Sequence, residues 1–119
     1  MKLAIILNDA LGMSKGKLCS QAAHAALGAY RVACNDNATL SQQASLQLWL
    51  LVGEPKIVLK ASGEEKLLQL GKQARESGLA HSVIRDAGHT QVLPGSVTAV
   101  ALLGSNDQVD KISGDLKLL

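Results

Sequence analysis

The chain has almost no aromatic side chains: among 119 residues there is one Trp, Trp49, one Tyr, Tyr30, and no Phe. Its core must therefore be assembled from Leu, Ile, Val and Ala, and stacking of bases on aromatic platforms is excluded as a main mode of nucleic-acid binding. Charge of one sign is also scarce. A net charge of +2 does not by itself argue for a nucleic-acid partner and leaves room only for a local basic patch. The two cysteines, Cys19 and Cys34, have no CxxC spacing, which argues against a disulfide framework or a cysteine zinc site and fits a reducing cytoplasm. Each is expected to act as a small buried hydrophobe. Cys19 and His24 stand five apart on one helix and do not face each other, against a cysteine nucleophile. His24, His81 and His89 show neither HxxxH nor HExxH spacing, against a metal site. There is no long hydrophobic run. "MKLAIIL" gives way at once to Asn8 and Asp9. That is too short for a signal-peptide core or a membrane span and reads as a first strand buried on both faces. No repeat, linker or low-complexity tract interrupts the chain.

With 47% apolar and 18% charged residues, the chain reads as one globular domain, 1–119, large enough for a single core. Strand one is expected over 2–8. A first helix runs from about Ser14 to Cys34, with Leu18, Ala22, Ala25, Ala26, Ala29 and Val32 as its apolar stripe. Thr39 and Gln42 form a capping box before a second helix, which Gly53 stops. "KIVLK" is strand two. Ser62 and Glu65 form a second capping box, opening a helix that ends at Gly78. "HSVIRD" and "SVTAVALLG" are strands three and four, and Ser105 and Gln108 cap a last short helix. The order β-α-α-β-α-β-β-α predicts an α/β sheet covered on both faces, mostly parallel, with one antiparallel pair at the end.

Two clusters stand out as chemistry. On the first helix, Lys17, Gln21, His24 and Gly28 fall within a sector of roughly 60°, beside the apolar stripe, where a cleft can run. Gly28 allows a close approach to the backbone. Lys15, Lys17 and the free N–H groups of the helix start suit a phosphate or a developing oxyanion. "GMSKGK" is not a nucleotide-binding P-loop, because three residues separate its glycines and Leu18 stands where a Ser or Thr is needed. The second cluster is "RDAGHTQVLPGSVT". It gathers Asp86, His89, Thr90, Gln91, Ser96 and Thr98 at the C-terminal end of strand three, where open α/β sheets place ligands. A long polar loop accounts for its glycines and proline. It accounts less well for an acid, an imidazole and several hydroxyls, which suit proton acceptance and the orientation of a water or carbonyl.

These residues carry a resemblance. "MSKGKLCSQAAHAALGAY" resembles the N-terminal signature of the type 2 peptidyl-tRNA hydrolases, the archaeal and eukaryotic class. "GEPKIVLK", "VIRDAGHTQVLPGSVTAVALLG" and "VDKISGDLKLL" are similar to that family's later motifs, in order and over nearly the whole chain. The resemblance implies a three-layer α/β/α domain with a four-stranded mixed sheet. It also implies a metal-independent, cofactor-free hydrolase for the ester between a peptide and the 3′ ribose of tRNA, and a homodimer.

Carried over, the functional positions are Lys17, Gln21, His24, Lys56, Asp86, Thr90 and Thr98. Asp86, with Thr90 or Thr98, is expected to position the water, and Lys17 to stabilise the oxyanion or the leaving oxygen. The tRNA backbone is expected on Lys15, Lys56, Lys60, Arg85 and His89. The family usually has Arg where this chain has His89, so a weaker phosphate contact is expected there. Gln21, His24 and Gln91 complete the expected substrate contacts, with His24 acting either in chemistry or as a structural hydrogen-bonding group. Two rivals stand beside this reading: an RNA-binding relative without turnover, and a protein-interaction module on the same surface.

Overall fold

The computed structural model describes residues 1–87 and 93–119. Strand β1 (Lys2–Asn8) leads through a 3-10 turn, Asp9–Leu11, into helix α1 (Lys15–Cys34) and helix α2 (Leu40–Leu51). Strand β2 (Lys56–Ala61), helix α3 (Glu64–Glu76), strands β3 (Ala80–Arg85) and β4 (Val97–Gly104), helix α4 (Asn106–Ser113) and strand β5 (Lys117–Leu118) follow. The caps form as their chemistry demands. Ser14 accepts from the backbone N of Lys17, and the Thr39–Gln42 and Ser105–Gln108 boxes are complete. The expected Ser62–Glu65 box is not: α3 starts from Gly63, at φ 98°, and the Ser62 hydroxyl donates to Asp9 instead.

Two expectations about the sheet are corrected. It has five strands, in the order β3-β4-β1-β2-β5, not four. It is mostly antiparallel: only β1 and β2 are parallel, while β1–β4, β3–β4 and β2–β5 are antiparallel. The reason is that β4 turns back from β3 and slots between β3 and β1, so those two like-directed strands never touch. Strand β5 has only two residues, too few to show a periodic pattern. The C-terminal backbone fixes it further, through the N–H of Leu119 on the carbonyl of Val58.

The central strands β1 and β4 are buried on both sides, which is why their sequences are continuous apolar runs. Ala4, Ile6, Val100 and Leu102 meet Leu67, Leu70, Val109 and Ile112 of α3 and α4. Leu3, Ile5, Ala101 and Leu103 meet Ala25, Ala29, Leu46 and Trp49 of α1 and α2. The result is three layers, α/β/α. Among the described residues no helix is long and apolar enough to cross a membrane. Cys19 and Cys34 are both exposed free thiols, not the buried hydrophobes expected.

Helix α1 lies closer to the sheet than a leucine-rich helix could. A Cβ on Gly28 would stand 2.8 Å from Cβ of Ser82, and the Ser82 hydroxyl donates to the carbonyl of Ala25 at 2.6 Å. What approaches Gly28 is therefore strand β3, not a ligand. The line of deepest burial is also shifted from the expected stripe. It runs Lys17, Gln21, Ala25, Ala29, Ala33, so two polar residues continue the buried row rather than flank it, and Val32 is exposed.

Candidate active site

The C-terminal ends of β1, β2 and β3 and the start of β4 share one end of the sheet, and α1 begins above it. Lys17, one turn into α1, points down into this end. Its Nζ donates to Oδ1 of Asp86, the first residue after β3, and both side chains are nearly dry, at 6% and 2% exposure. Backbone bonds fix Asp86 in place. Its N–H donates to the carbonyl of Ser96 at 2.8 Å, and its carbonyl accepts from the N–H of Gly95 at 2.9 Å. Gly95, at φ 83°, allows the left-handed turn this closure needs.

One turn further along α1, Gln21 meets Thr98. The β3–β4 register passes from Ile84↔Ala99 to Arg85↔Val97, so the ladder skips Thr98 in a β-bulge. A bulge re-aims a side chain. Here it turns the Thr98 hydroxyl toward α1, where it donates to Oε1 of Gln21. Thr98 is wholly buried, so its hydroxyl is not open to a ligand. With Oε1 engaged, the amide of Gln21 is oriented and its Nε2 carries the remaining donors.

The bulge frees the backbone groups of Val97, and distant residues satisfy them. Nδ2 of Asn8 donates to the Val97 carbonyl at 2.9 Å, and the Val97 N–H donates to Oε1 of Glu64 at 3.2 Å. Asn8 is 1% exposed, and its Oδ1 also accepts from the N–H of Ala10 and of Gly63. Neither Asn8 nor Glu64 was marked by local sequence pattern. Asn8 read as the polar end of a strand and Glu64 as the acidic start of a helix.

Above the buried pairs lies an open cleft of about 460 Å³ between α1 and β3, lined by Lys17, Gln21, His24, Gly28 and Arg31 on one side and residues 83–87 on the other. Of the expected site residues, Lys17, Gln21, His24, Arg85 and Asp86 come together in its walls, and Thr98 lies behind Gln21. His24 is exposed at the rim. Arg85 points its guanidinium at the Gly95 carbonyl and Glu64, at 2.8 and 3.4 Å. Lys15 is exposed at the first position of α1, and Lys60 is half-buried near the end of β2, opposite Lys117.

Lys56 is not brought to the site. It opens β2 at the far end of the sheet, with Nζ on the Glu54 carbonyl at 2.9 Å and 5.1 Å from the centroid of the Trp49 ring. Sequence proximity of a lysine to a strand carries no information about which end of the sheet it occupies. His89, Thr90 and Gln91 lie outside the described residues. Arg31 was missed, although its signal was present: it continues the line of Lys17 and His24 in steps of seven, which return a helix to within about 20° of the same face.

The sequence profile of the family described as "Peptidyl-tRNA hydrolase PTH2" matches residues 1–119. The chain belongs to this family. It is 42% identical to a Methanocaldococcus jannaschii protein named peptidyl-tRNA hydrolase, over the whole of both chains. It is 45% identical to the Haloquadratum walsbyi protein of the same name, over 99% of each. A human relative, "Peptidyl-tRNA hydrolase 2, mitochondrial", is 40% identical over 98% of this chain and 63% of its own length. Among solved structures, an Agrobacterium protein of unknown function superposes with a TM-score of 0.61, covering 99% of this chain and 96% of its own at 15% identity. That likeness speaks to the PTH2 chain's fold alone.

Proposed function

We propose that this chain hydrolyses the ester between a peptide and the 3′ ribose of tRNA, releasing the peptide and free tRNA. The observation that carries the reading is the dry Lys17–Asp86 pair at the floor of an otherwise open cleft, in a chain of the PTH2 family. An ordinary structural ion pair has no need of a cleft above it. A tRNA ester needs an anchored cation beside an anchored carboxylate.

Attack of water on the ester carbon moves negative charge onto the carbonyl oxygen and then onto the ribose oxygen that leaves. Asp86 accepts a hydrogen bond from the attacking water and orients its lone pair. The water's proton passes finally to the departing 3′ oxygen. Lys17 Nζ and Gln21 Nε2 donate to the tetrahedral oxyanion, where fixed donors in a water-poor site act most strongly. Thr98 acts through Gln21 rather than on the water. This amends the role expected of it, because its hydroxyl is enclosed and already donating. The other expected roles stay part of this reading: Thr90 beside Asp86 on the water, and Lys15, Lys60, His89 and Gln91 on the substrate, with His89, Thr90 and Gln91 lying outside the described residues. A cytoplasmic location and a homodimer belong to the same reading. The two free thiols support the first. The apolar side chains that α2 and its C-terminal end leave exposed, Leu40, Leu48, Leu51 and Val52, support the second.

The direct test is release of the acetylated amino acid from N-acetyl-aminoacyl-tRNA. Catalytic release supports the reading. Salt-sensitive tRNA binding without release would replace it with the RNA-binding rival. The role of Thr98 has its own test. Thr98→Val removes the bond that orients Gln21 and is expected to lower kcat by about tenfold, the worth of one misaligned donor at ~1.4 kcal/mol per decade. Thr98→Ser keeps the hydroxyl and is expected to stay within a few-fold of wild type. Equal activity of the two variants would show that Gln21 needs no such support.

A further inference from the structure

The cleft extends well past the Lys17–Asp86 pair. Arg31 closes its far end, near the last turn of α1. Its side chain is exposed, and among the described residues no ion pair or hydrogen bond holds its guanidinium. Resting on the reading of the site as a peptidyl-tRNA esterase, we propose that this far arm is a track for the unpaired 3′ strand of the tRNA. The strand runs along α1 from Arg31, past His24, to the ester at Lys17, and Arg31 is its remote phosphate contact.

Charge decides between the two parts of the substrate that leave the ester. The only carboxylate in the described walls of the cleft is Asp86, which pairs with Lys17. Arg85 is held by Glu64 and the Gly95 carbonyl. The groups left without a partner are therefore Arg31 and the imidazole of His24, and an unpaired cation suits a charged phosphodiester better than a neutral peptide backbone. Guanidinium is also the side chain best shaped for phosphate.

Length fits as well. Lys17 and Arg31 stand fourteen positions apart in one unbroken helix, about 21 Å at 1.5 Å per residue. That is the reach of a short unpaired strand. Among the described residues no aromatic side chain lines the cleft, so the strand is held by its backbone, which positions it without reading sequence. The cleft also opens sideways. Val83 packs toward Gly71 of α3, where an added Cβ would stand 2.8 Å from it, yet Val83 lines the cleft on the α1 side. The cleft therefore lies at the edge of the sheet, beside its terminal strand β3, where an unpaired strand can be laid in. The plain alternative is that Arg31 only complements the C-terminal dipole of α1.

The two accounts separate on short substrates. N-acetyl-aminoacyl esters of adenosine, and of the 3′ trinucleotide cytidylyl-cytidylyl-adenosine, differ by two cytidines and the phosphates that join them, which the track would hold. Wild type is expected to show a lower KM for the trinucleotide ester, and that gap should shrink with added salt. Arg31→Gln is expected to close the gap by roughly tenfold, the order of one charge-assisted contact. It should also lower the salt slope by about 0.7, the value for one phosphate on a single strand. Arg31→Lys should recover most of both. Arg75→Gln, at another exposed arginine in the last turn of α3, should keep the wild-type gap.

Three results would overturn the proposal. They are that Arg31→Gln keeps the gap and the slope, that it weakens both esters alike as a structural defect does, or that it matters only for full-length tRNA, which would place Arg31 on the duplex stem. If wild type hydrolyses neither ester, the esterase reading falls separately. Anisotropy of a labelled trinucleotide with wild type and Arg31→Gln then still decides the track.

Discussion

Lys17→Ala is expected to lower kcat on peptidyl-tRNA by about 10²–10³, with KM little changed, as removal of one donor to a developing oxyanion does. The reasoning starts from where Nζ sits. It is held on Oδ1 of Asp86 at the cleft floor, 6% exposed, so it is placed for the reacting ester and not for phosphates at the rim. A cation that only attracted tRNA would change KM and the salt dependence instead. Steady-state kinetics at two salt concentrations distinguish the cases. A large rise in KM with intact kcat would move Lys17 from the chemistry to binding.

The second large effect is on stability. Lys17→Met leaves the buried Asp86 carboxylate without its countercharge, which is expected to cost about 3–5 kcal/mol. Adding Asp86→Asn removes that stranded charge while keeping the side chain's shape and much of its hydrogen-bonding capacity. The double variant should therefore recover most of the lost stability and remain inactive. Urea denaturation of wild type, both single variants and the double variant gives the coupling energy of the pair directly. Simple additivity would show that the two residues do not act as a pair. Recovery of activity in the double variant would show that they are not the catalytic centre.

Much of this arrangement was legible in the sequence, and the exceptions share a cause. Strands β1 and β4 could be read because burial on both faces leaves continuous apolar runs. Thr39 and Ser105 could be read as caps because capping is settled within four residues. The Ser62 box failed because Asp9, far off in sequence, took its hydroxyl.

The sheet's sense was misread because alternation of helices and strands does not reveal that β4 inserts between β3 and β1. The site divides the same way. Lys17, Gln21 and Asp86 were marked by residue type in an unusual setting. The bulge at Thr98, and its support by Asn8 and Glu64, depend on contacts across most of the chain, and nothing local announces them. Lys56 shows the converse: it lies in a family-like motif, but it opens its strand at the end of the sheet opposite the cleft.

The measurement that bears most directly on the central claim is a single-turnover assay. N-acetyl-aminoacyl-tRNA is held under excess enzyme, so that binding is saturated, and release is followed for wild type and Lys17→Ala side by side. The account predicts rapid release by wild type and release slowed by at least about a hundredfold in the variant, with the tRNA bound to both. Equal single-turnover rates would contradict it, because the Lys17–Asp86 pair would then hold the fold together without taking part in breaking the ester.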